Sequence, residues 1–352
     1  MGQFAQLNWD VIKTRPLLLP RRALSYVLFE GRPLFARARW LNLLVFGQLS
    51  IAKGLALKSR VVKPIYILGM GRSGTTVLGN IFFLHPHVGL LHEPRALWHS
   101  IFANEDVIGS YSDGPAYYRL DETMATPTIK RSAHRIYTSY LRLTGARRVV
   151  DKSPEFVFRL PFLREIFPDA KFIFLVRNGM DTIRSVSSWA RSHNRHNRNG
   201  MHYWWGAHRR KWKLLVEQVV GNDDLLGPLT EDISMLERDI DMAAVEWICT
   251  SREGLHHMQT MPETIFQLNY DALVRNPESR MRALLEFCEL PADDAMLEYA
   301  SNSLAPLPQK EEAATIHPVL LQPFVATMQS LGYSTSQLRM MDTNRHGVRS
   351  RM

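Results

Sequence analysis

The sequence predicts an α/β fold: a P-loop-like parallel sheet flanked by helices, in a single main domain with a helical N-terminal extension. Three observations predict it. Short apolar or β-branched runs alternate with helical stretches from residue 64 onward. A Gly-rich turn, GMGRSGTT at residues 69–76, stands between the first run and the first helical stretch. The chain has 352 residues, 45% of them hydrophobic, which suffices to bury one large core.

Five runs are predicted to be strands, in the order PIYILGM (64–70), VGLLHE (88–93), RRVVDK (147–152), KFIFLVR (171–177) and TIFQLNY (264–270). Helices are predicted at residues 75–84, 156–167, 179–191, 239–259 and 277–288. Ligands of open α/β sheets bind outside the carboxyl ends of the strands. The informative residues are therefore those near the end of each run, which are Arg72, Glu93, Lys152, Arg177 and Tyr270.

The segment from Trp40 to Leu57 is predicted to be a helix that is either buried against the domain or interfacial at a membrane. Its polar residues argue against a membrane span; they are Asn42, Gln48, Ser50 and Lys53. The basic residues that flank it would suit anionic headgroups or a solvated face; they are Arg32, Arg37, Arg39, Lys58 and Arg60.

The sequence predicts an N-terminal basic and apolar helical extension (1–60), a main domain (61–341) and a disordered tail (342–352). Only Cys249 and Cys288 are present, so no disulfide framework or cysteine metal site is expected. The first ten residues lack the layout of a secretory signal, which favours the cytoplasm, with the membrane surface as a further location.

The formal net charge of +9 favours acidic ligands, nucleic acid or an anionic membrane surface. No zinc-finger spacing, ribonucleoprotein motif or heptad-plus-basic region is present, so nucleic acid is not an expected partner. A small ligand with several phosphate groups explains the positive charge as well.

The Gly-rich turn fits two phosphate-binding patterns. Gly69, Gly71 and Gly74 have the G-x-G-x-x-G spacing of dinucleotide-binding folds, and Gly69 with Gly74 has that of a Walker A loop. A turn between a strand and a helix presents unpaired amide groups and the positive end of the helix dipole. An anion site is therefore predicted before any side chain is considered.

Neither pattern is complete. A Walker A loop needs Lys at the position that Thr75 occupies here. It also needs an Asp at the end of a neighbouring strand to hold magnesium, but that strand ends in Arg177. Both differences argue against an ATPase or kinase. The dinucleotide interpretation finds an acid in Glu93, but it leaves Arg72 and the stretch LVRNGMDTIRS without a role. That stretch predicts a second anion site, because Arg177 and Ser185 can together hold a phosphate. The two sites indicate a nucleotide that is phosphorylated at both ends.

Several stretches, in order, resemble the motifs of sulfotransferases that use 3′-phosphoadenosine 5′-phosphosulfate (PAPS). GMGRSGTTVL is similar to their 5′-phosphosulfate loop, and RNGMDTIRS is similar to their 3′-phosphate motif. HPHVGLLHEP is similar to the segment after the loop in the tyrosylprotein and carbohydrate branches. DKSPEF and LNYDALVRNP resemble later strand ends, so the resemblance spans residues 64–290. Many members have Lys where this chain, like the tyrosylprotein branch, has Arg72.

The resemblance implies transfer of a sulfonate group from PAPS to an acceptor hydroxyl of a lipid, carbohydrate, tyrosine or small alcohol, without a metal. It implies that Glu93 is the general base, with His92 as a rival, and that Arg72 and Lys152 act on the transferred group. The residues implied to bind PAPS are Gly71, Arg72, Ser73, Gly74, Thr75, Thr76, Arg177, Ser185 and Tyr270.

The acceptor determinants are expected in residues 95–147 and 190–235, where Trp204, Trp205 and Trp212 are candidates for the pocket lining. Two alternatives remain open at this point. One is a nucleotide-dependent oxidoreductase that uses the G-x-G-x-x-G pattern. The other is a non-enzymatic peripheral membrane protein. No motif indicates an oligomeric state.

Overall fold

The computed structural model describes residues 9–31, 41–55, 61–194, 204–304 and 315–334. A five-stranded sheet lies at its centre, with β1 (Ile65–Leu68), β2 (Val88–His92), β3 (Arg148–Lys152), β4 (Lys171–Val176) and β5 (Ile265–Asn269) in the spatial order β2-β3-β1-β4-β5. Every neighbouring pair is parallel. The predicted fold class and all five predicted strands are confirmed.

The helices in the described ranges are α1 (Trp9–Thr14), α2 (Leu19–Ser25), α3 (Leu41–Gly54), α4 (Thr75–Phe83), α5 (Arg95–Ile101), α6 (Pro127–Thr144), α7 (Leu160–Ile166), α8 (Gly179–Asn194), α9 (Arg210–Gln218), α10 (Thr230–Ser234), α11 (Asp239–Thr260), α12 (Tyr270–Arg275), α13 (Pro277–Phe287), α14 (Asp294–Ser303) and α15 (Leu321–Ser330). The predicted helices that begin at residues 75, 179, 239 and 277 are confirmed. The helix predicted over 156–167 is only partly correct, because Pro154–Arg159 forms a 3₁₀ turn before α7 begins. Pro161 in the first turn of α7 has no amide hydrogen, which favours a new helix start there.

Both faces of the sheet are buried, as expected for parallel strands. Along β1, Tyr66 and Leu68 pack in one cluster with β4 and residues of α6, α7 and α11. Ile65 and Ile67 point to the other face and pack with residues of α4, α13 and α14. This alternation explains why the strands appear in the sequence as continuous apolar runs.

Helix α6 was not predicted, although its ends carry ordinary helix signals. Thr126 caps its first turn by accepting a hydrogen bond from the amide of Ile129 at 3.4 Å, and Pro127 occupies the first helical position. Gly145 ends it with φ 64°, a left-handed conformation that glycine adopts readily. The range 95–147, expected to carry acceptor loops, therefore contains both α5 and α6.

The N-terminal residues 9–31 pack along β2, the outermost strand on its side of the sheet. Arg21 donates to the carbonyls of Pro86 at 2.7 Å and Val88 at 2.9 Å, and the carboxylate of Glu30 accepts from the amide of His92 at 3.0 Å. The N-terminal segment therefore covers a strand edge that would otherwise present unpaired backbone groups. The division of the chain at residue 60 stays a prediction.

Helix α3 lies within the predicted segment Trp40–Leu57. Its side chains Val45, Leu49 and Ala52 are buried against the domain. In the part of the chain that the structure describes, no helix is long and apolar enough to cross a membrane. The basic residues that flank α3, at 32, 37, 39, 58 and 60, and the tail 342–352 lie outside the described residues.

A buried carboxyl group lies in β3. The Asp151 side chain is 0% exposed, and its Oδ2 accepts hydrogen bonds from the Tyr137 hydroxyl at 2.6 Å and the Trp98 indole at 2.9 Å. Its Oδ1 has no hydrogen-bond partner in the described ranges. Burial is the main cause that raises the pKa of Asp151 from 3.8 to about 7.

This raised pKa predicts a pH-dependent stability. The folded protein keeps the Asp151 proton up to about pH 7, whereas the unfolded chain releases it near pH 4, so stability falls as the pH rises through this window. Asp151→Asn removes the titration, and we expect the variant to exceed the wild type in stability at pH 8 by a few kcal/mol. Urea unfolding at pH 5 and pH 8 measures this, with the exposed Asp113→Asn as control. Parallel pH curves for wild type and Asp151→Asn would contradict the prediction.

Candidate active site

The Gly-rich turn lies at the point where the chain changes direction across the sheet. From β1 the chain continues towards β2 on one side, and from β4 it continues to β5 on the other side. The carboxyl ends of β1 and β4 are therefore a topological switch point, where ligands of such sheets bind. Gly74 has φ 105°, and a Cβ atom there would lie 2.5 Å from the Tyr270 ring. Only glycine fits this position.

The turn leads into the first turn of α4, whose amide groups have no preceding carbonyl partner within the helix. Ser73 is buried, and its hydroxyl donates to the carbonyl of Met70 at 2.6 Å, so this side chain braces the turn. Thr75 is also buried, while Thr76 is partly exposed. The exposed part of this surface is suited to an anion because of the helix dipole.

Two arginines meet at the turn. Arg72 has φ 71°, and its Nε donates to the Ser185 hydroxyl at 3.1 Å. Arg177 donates to the carbonyl oxygen of Arg72 at 3.1 Å. Burial, followed by the positive charge of Arg177, lowers the pKa of Arg72. The two guanidinium groups repel each other, and an anion bound between them would relieve this repulsion.

Arg177 has an unused hydrogen-bond donor. Its side chain is 10% exposed, and its Nε is buried with no hydrogen-bond partner in the described ranges. The guanidinium lies 5.0 Å from the centre of the Tyr270 ring, and Asp181 is 4.0 Å away. Sequence analysis paired Ser185 with Arg177, but in the structure Ser185 contacts Arg72. All four side chains Arg72, Arg177, Ser185 and Tyr270 thus belong to one cluster.

Glu93 and Lys152 form an ion pair beside this cluster. Glu93 directly follows β2, Lys152 is the last residue of the parallel strand β3, and Lys152 Nζ donates to Glu93 Oε1 at 2.5 Å. Glu93 has φ 47°, an uncommon conformation for a non-glycine residue, and its amide donates to the Lys152 carbonyl at 2.7 Å. Ile67 of β1 is in register with Lys152, so the pair lies next to the start of the Gly-rich turn. The side chains are 15% and 3% exposed, respectively.

A small cavity adjoins Glu93, with a volume of about 10 Å³ that has room for about one water molecule. Its charged and polar lining residues include Arg95, Glu105, Ser153, Glu155 and Arg159. Arg95 lies 3.7 Å from Glu93 and 3.8 Å from Glu155. Burial disfavours the charged form of Glu155, but Arg95 and Lys211 outweigh it and lower its pKa. The cavity is therefore an ionic environment next to the candidate base.

Sequence analysis missed Arg95 and Glu155, although a signal was present. Each follows a proline directly after a strand end, in HEPR and KSPE. Since functional side chains in such sheets lie beyond the strand ends, this position predicts that both residues lie near the site. His92, the rival base, is 4% exposed and its amide is bonded to Glu30.

The aromatic residues after α8 separate into two groups. A Cβ atom at Gly71 would lie 2.5 Å from the Trp204 ring, so Trp204 covers the Gly-rich turn. Its indole donates to Glu246 at 2.7 Å, which fixes its position. Trp205 and Trp212 are instead buried in the core with ring centres 5.7 Å apart, so they do not line a pocket.

The sequence is similar to a family model and to several known proteins. A model described as the Sulfotransferase family matches residues 64–228. An uncharacterized protein of Aquifex aeolicus is 29% identical over 244 residues, which are 67% of this chain and 27% of that protein. Protein-tyrosine sulfotransferase 1 of Danio rerio is 26% identical over 238 residues, which are 67% of this chain and 55% of that protein. The chain therefore spans about half the length of this second relative, and less of the first.

Solved structures give a weaker likeness. The sulfotransferase STF9 from Mycobacterium avium has a TM-score of 0.44 and 16% identity, covering 94% of this chain and 97% of that chain. A score at this level adds no support to the sequence matches. The oxidoreductase alternative is not favoured, because the matching family model is that of a different class of enzyme. The family model matches 165 of the 352 residues, and together with the similarity to protein-tyrosine sulfotransferase 1 it supports the resemblance to sulfotransferases.

Proposed function

We propose that the protein transfers a sulfonate group from PAPS to an acceptor hydroxyl. The observation that carries this proposal is the pair Arg72 and Arg177 at the switch point, with Arg177 Nε buried and without a hydrogen-bond partner in the described ranges. A buried donor of this kind is costly unless a ligand satisfies it. A phosphate oxygen supplies the charge and the acceptor atoms that the pair lacks.

In this proposal the Gly-rich turn and the start of α4 hold the 5′-phosphosulfate. The amides from Ser73 to Thr76 and the hydroxyl of the partly exposed Thr76 bind the phosphate oxygens, while the buried Ser73 and Thr75 shape the turn. Arg177 and Ser185 bind the 3′-phosphate, and Tyr270 holds the Arg177 guanidinium in place. The donor, when bound, supplies the activated sulfonate group.

Glu93 removes the proton from the acceptor hydroxyl as its oxygen forms a bond to sulfur. The bond between sulfur and the bridging oxygen breaks, and the electron pair stays on the phosphate of the nucleotide. Arg72 and Lys152 neutralise the negative charge that develops there. Lys152 contacts Glu93 in the structure, so a bound sulfonate group competes for this ammonium and frees the carboxylate to act as a base. The acceptor is a lipid, a carbohydrate, a tyrosine side chain or a small alcohol, and its hydroxyl has to approach Glu93 from outside, because the cavity beside Glu93 has room for only about one water molecule.

Arg177→Ala is expected to weaken binding of the product 3′-phosphoadenosine 5′-phosphate by about 10–100-fold, because it removes a charge-assisted contact to a phosphate. Isothermal titration calorimetry measures the affinity, and circular dichroism checks the fold. The matched control is Arg191→Ala, which removes the same charge from the exposed surface of α8. An unchanged affinity in folded Arg177→Ala protein would remove the second phosphate site from the proposal. The same bisphosphate should raise the thermal unfolding temperature, and a nicotinamide dinucleotide should not.

A further inference from the structure

Helix α3 is apolar on two opposite sides. Val45, Leu49 and Ala52 pack against the domain, as described above. The other side carries Leu43, Leu44 and Ile51, which are 74%, 61% and 66% exposed, and Leu55 follows with 43%. Residues 43, 44, 47, 51 and 55 recur at helical spacing, so these leucines and the isoleucine form one stripe, named here the outer face of α3. Gly47 in the middle of the stripe is exposed and has no atom within 4 Å of its Cβ position.

Exposed apolar side chains are concentrated in this part of the molecule. In the described ranges twelve large apolar side chains are exposed, and eight of them precede residue 63: Leu17, Leu19, Val27, Leu43, Leu44, Ile51, Leu55 and Val62. The other four are spread over the rest of the chain: Val77, Tyr117, Leu143 and Met235. Single exposed apolar residues need no explanation, but a contiguous stripe marks a surface that another apolar phase covers.

The charge of the surrounding sequence favours one kind of partner for this stripe over the others. Residues 31–63 contain seven basic residues and no Asp or Glu: Arg32, Arg37, Arg39, Lys53, Lys58, Arg60 and Lys63. Two of them are already bound within the domain, because Lys53 donates to the Ser100 carbonyl and Lys63 pairs with Glu289. A second copy of the chain would bring the same positive charge, so self-association through this surface is disfavoured. Protein interfaces usually rely on aromatic or Arg side chains as anchors, whereas the outer face of α3 is aliphatic. An apolar stripe within a basic sequence fits a bilayer with anionic headgroups.

The domain holds α3 firmly enough to present this face. Lys53 Nζ donates to the carbonyl of Ser100 at 3.0 Å, and Arg135 donates to the carbonyl of Lys53 at 2.7 Å. The Phe46 ring packs edge-on against Tyr111 with centres 5.2 Å apart. Ser100 belongs to α5, whose first residue Arg95 lines the cavity beside Glu93. The outer face of α3 is therefore only one helix away from the small cavity beside Glu93.

We propose that the outer face of α3 docks the protein on a bilayer that contains anionic lipid. The aliphatic side chains enter the interfacial region of the bilayer, and the net positive charge of residues 31–63 is attracted to its negative surface potential. The docking depends on surface chemistry alone and does not rest on the proposed function.

Vesicle flotation of the full chain tests this proposal. The wild type should float with vesicles of phosphatidylcholine and phosphatidylglycerol, and should bind pure phosphatidylcholine vesicles much more weakly. The double variant Leu43→Gln/Leu44→Gln should lose at least about tenfold in binding, since two aliphatic anchors are replaced. The matched control is Leu143→Gln/Met235→Gln, which replaces two exposed apolar residues that lie outside α3, and it should float like the wild type.

Binding of 3′-phosphoadenosine 5′-phosphate to both double variants should equal that of the wild type, which shows that the fold and the donor site are intact. Wild-type protein that does not float, or a Leu43→Gln/Leu44→Gln variant that floats as well as the wild type, would overturn the docking proposal. A wild type that elutes as a dimer while the variant elutes as a monomer would overturn it too, because the face would then join two copies. Failure of the wild type to bind the bisphosphate would count against the proposed function and leave the docking result standing.

Discussion

Glu93→Gln is expected to lower the turnover number of sulfonate transfer by about two to four orders of magnitude, the usual contribution of a positioned general base. Glutamine has the same shape and can still accept the hydrogen bond from Lys152, but it cannot take up the acceptor proton. The affinity for 3′-phosphoadenosine 5′-phosphate should therefore stay unchanged. Steady-state kinetics with a sulfated product as readout, together with calorimetry of the bisphosphate, measures both quantities.

Two variants serve as controls for this result. Glu122→Gln removes a carboxylate from an exposed position and should leave turnover unchanged. His92→Asn tests the rival base, and we expect a milder loss because the His92 side chain is buried. If His92→Asn abolishes turnover and Glu93→Gln does not, then His92 is the base and the assignment of Glu93 is wrong.

Glu30→Ala is expected to destabilise the protein by about 3–5 kcal/mol, the usual effect of breaking a buried ion pair. The Arg22 and Glu30 side chains are 2% and 0% exposed, and Arg22 Nη1 donates to Glu30 Oε1 at 2.6 Å. The same carboxylate accepts from the amide of His92, one residue before Glu93. Loss of the carboxylate leaves a buried guanidinium without its partner and the end of β2 without a hydrogen-bond acceptor. Urea unfolding at pH 7 measures the change.

A second ion pair, which is less buried, serves as a control for the effect of burial on the loss of stability. Arg15 tethers the same N-terminal segment to Asp293 at 2.8 Å, but these side chains are 25% and 13% exposed. Arg15→Met should therefore cost less than Glu30→Ala, although it also removes the hydrogen bond from Arg15 to the Leu84 carbonyl at 2.9 Å. The double variant Arg22→Met/Glu30→Gln should recover much of the stability, because glutamine can still accept from His92 and no buried charge remains. Equal effects of Glu30→Ala and Arg15→Met would contradict this account of the N-terminal segment.

The sheet, and the strand ends at which the candidate site residues lie, could be predicted because their signals are local. The strand KFIFLV is buried on both faces, so its sequence is an unbroken apolar run, and Arg177 marks its end. The turn at Gly74 requires a left-handed conformation and close contact with another ring, which restricts the residue type. Glu93 and Lys152 were expected at one sheet edge, and parallel pairing of β2 with β3 brings them into contact. Their catalytic roles stay predictions.

Other features depend on contacts between elements, and no local pattern encodes them. The sequence predicted a helix between Trp40 and Leu57, but only packing decided that one side of α3 is buried and the other exposed. The sequence also gives no indication that Glu30 bonds to His92, that Trp204 covers Gly71, or that Ser185 contacts Arg72. Periodicity and turn chemistry are fixed by neighbours along the chain. The partner of a charged or aromatic side chain depends instead on which distant element packs beside it, and most such residues in a sequence are equally compatible with a solvated surface.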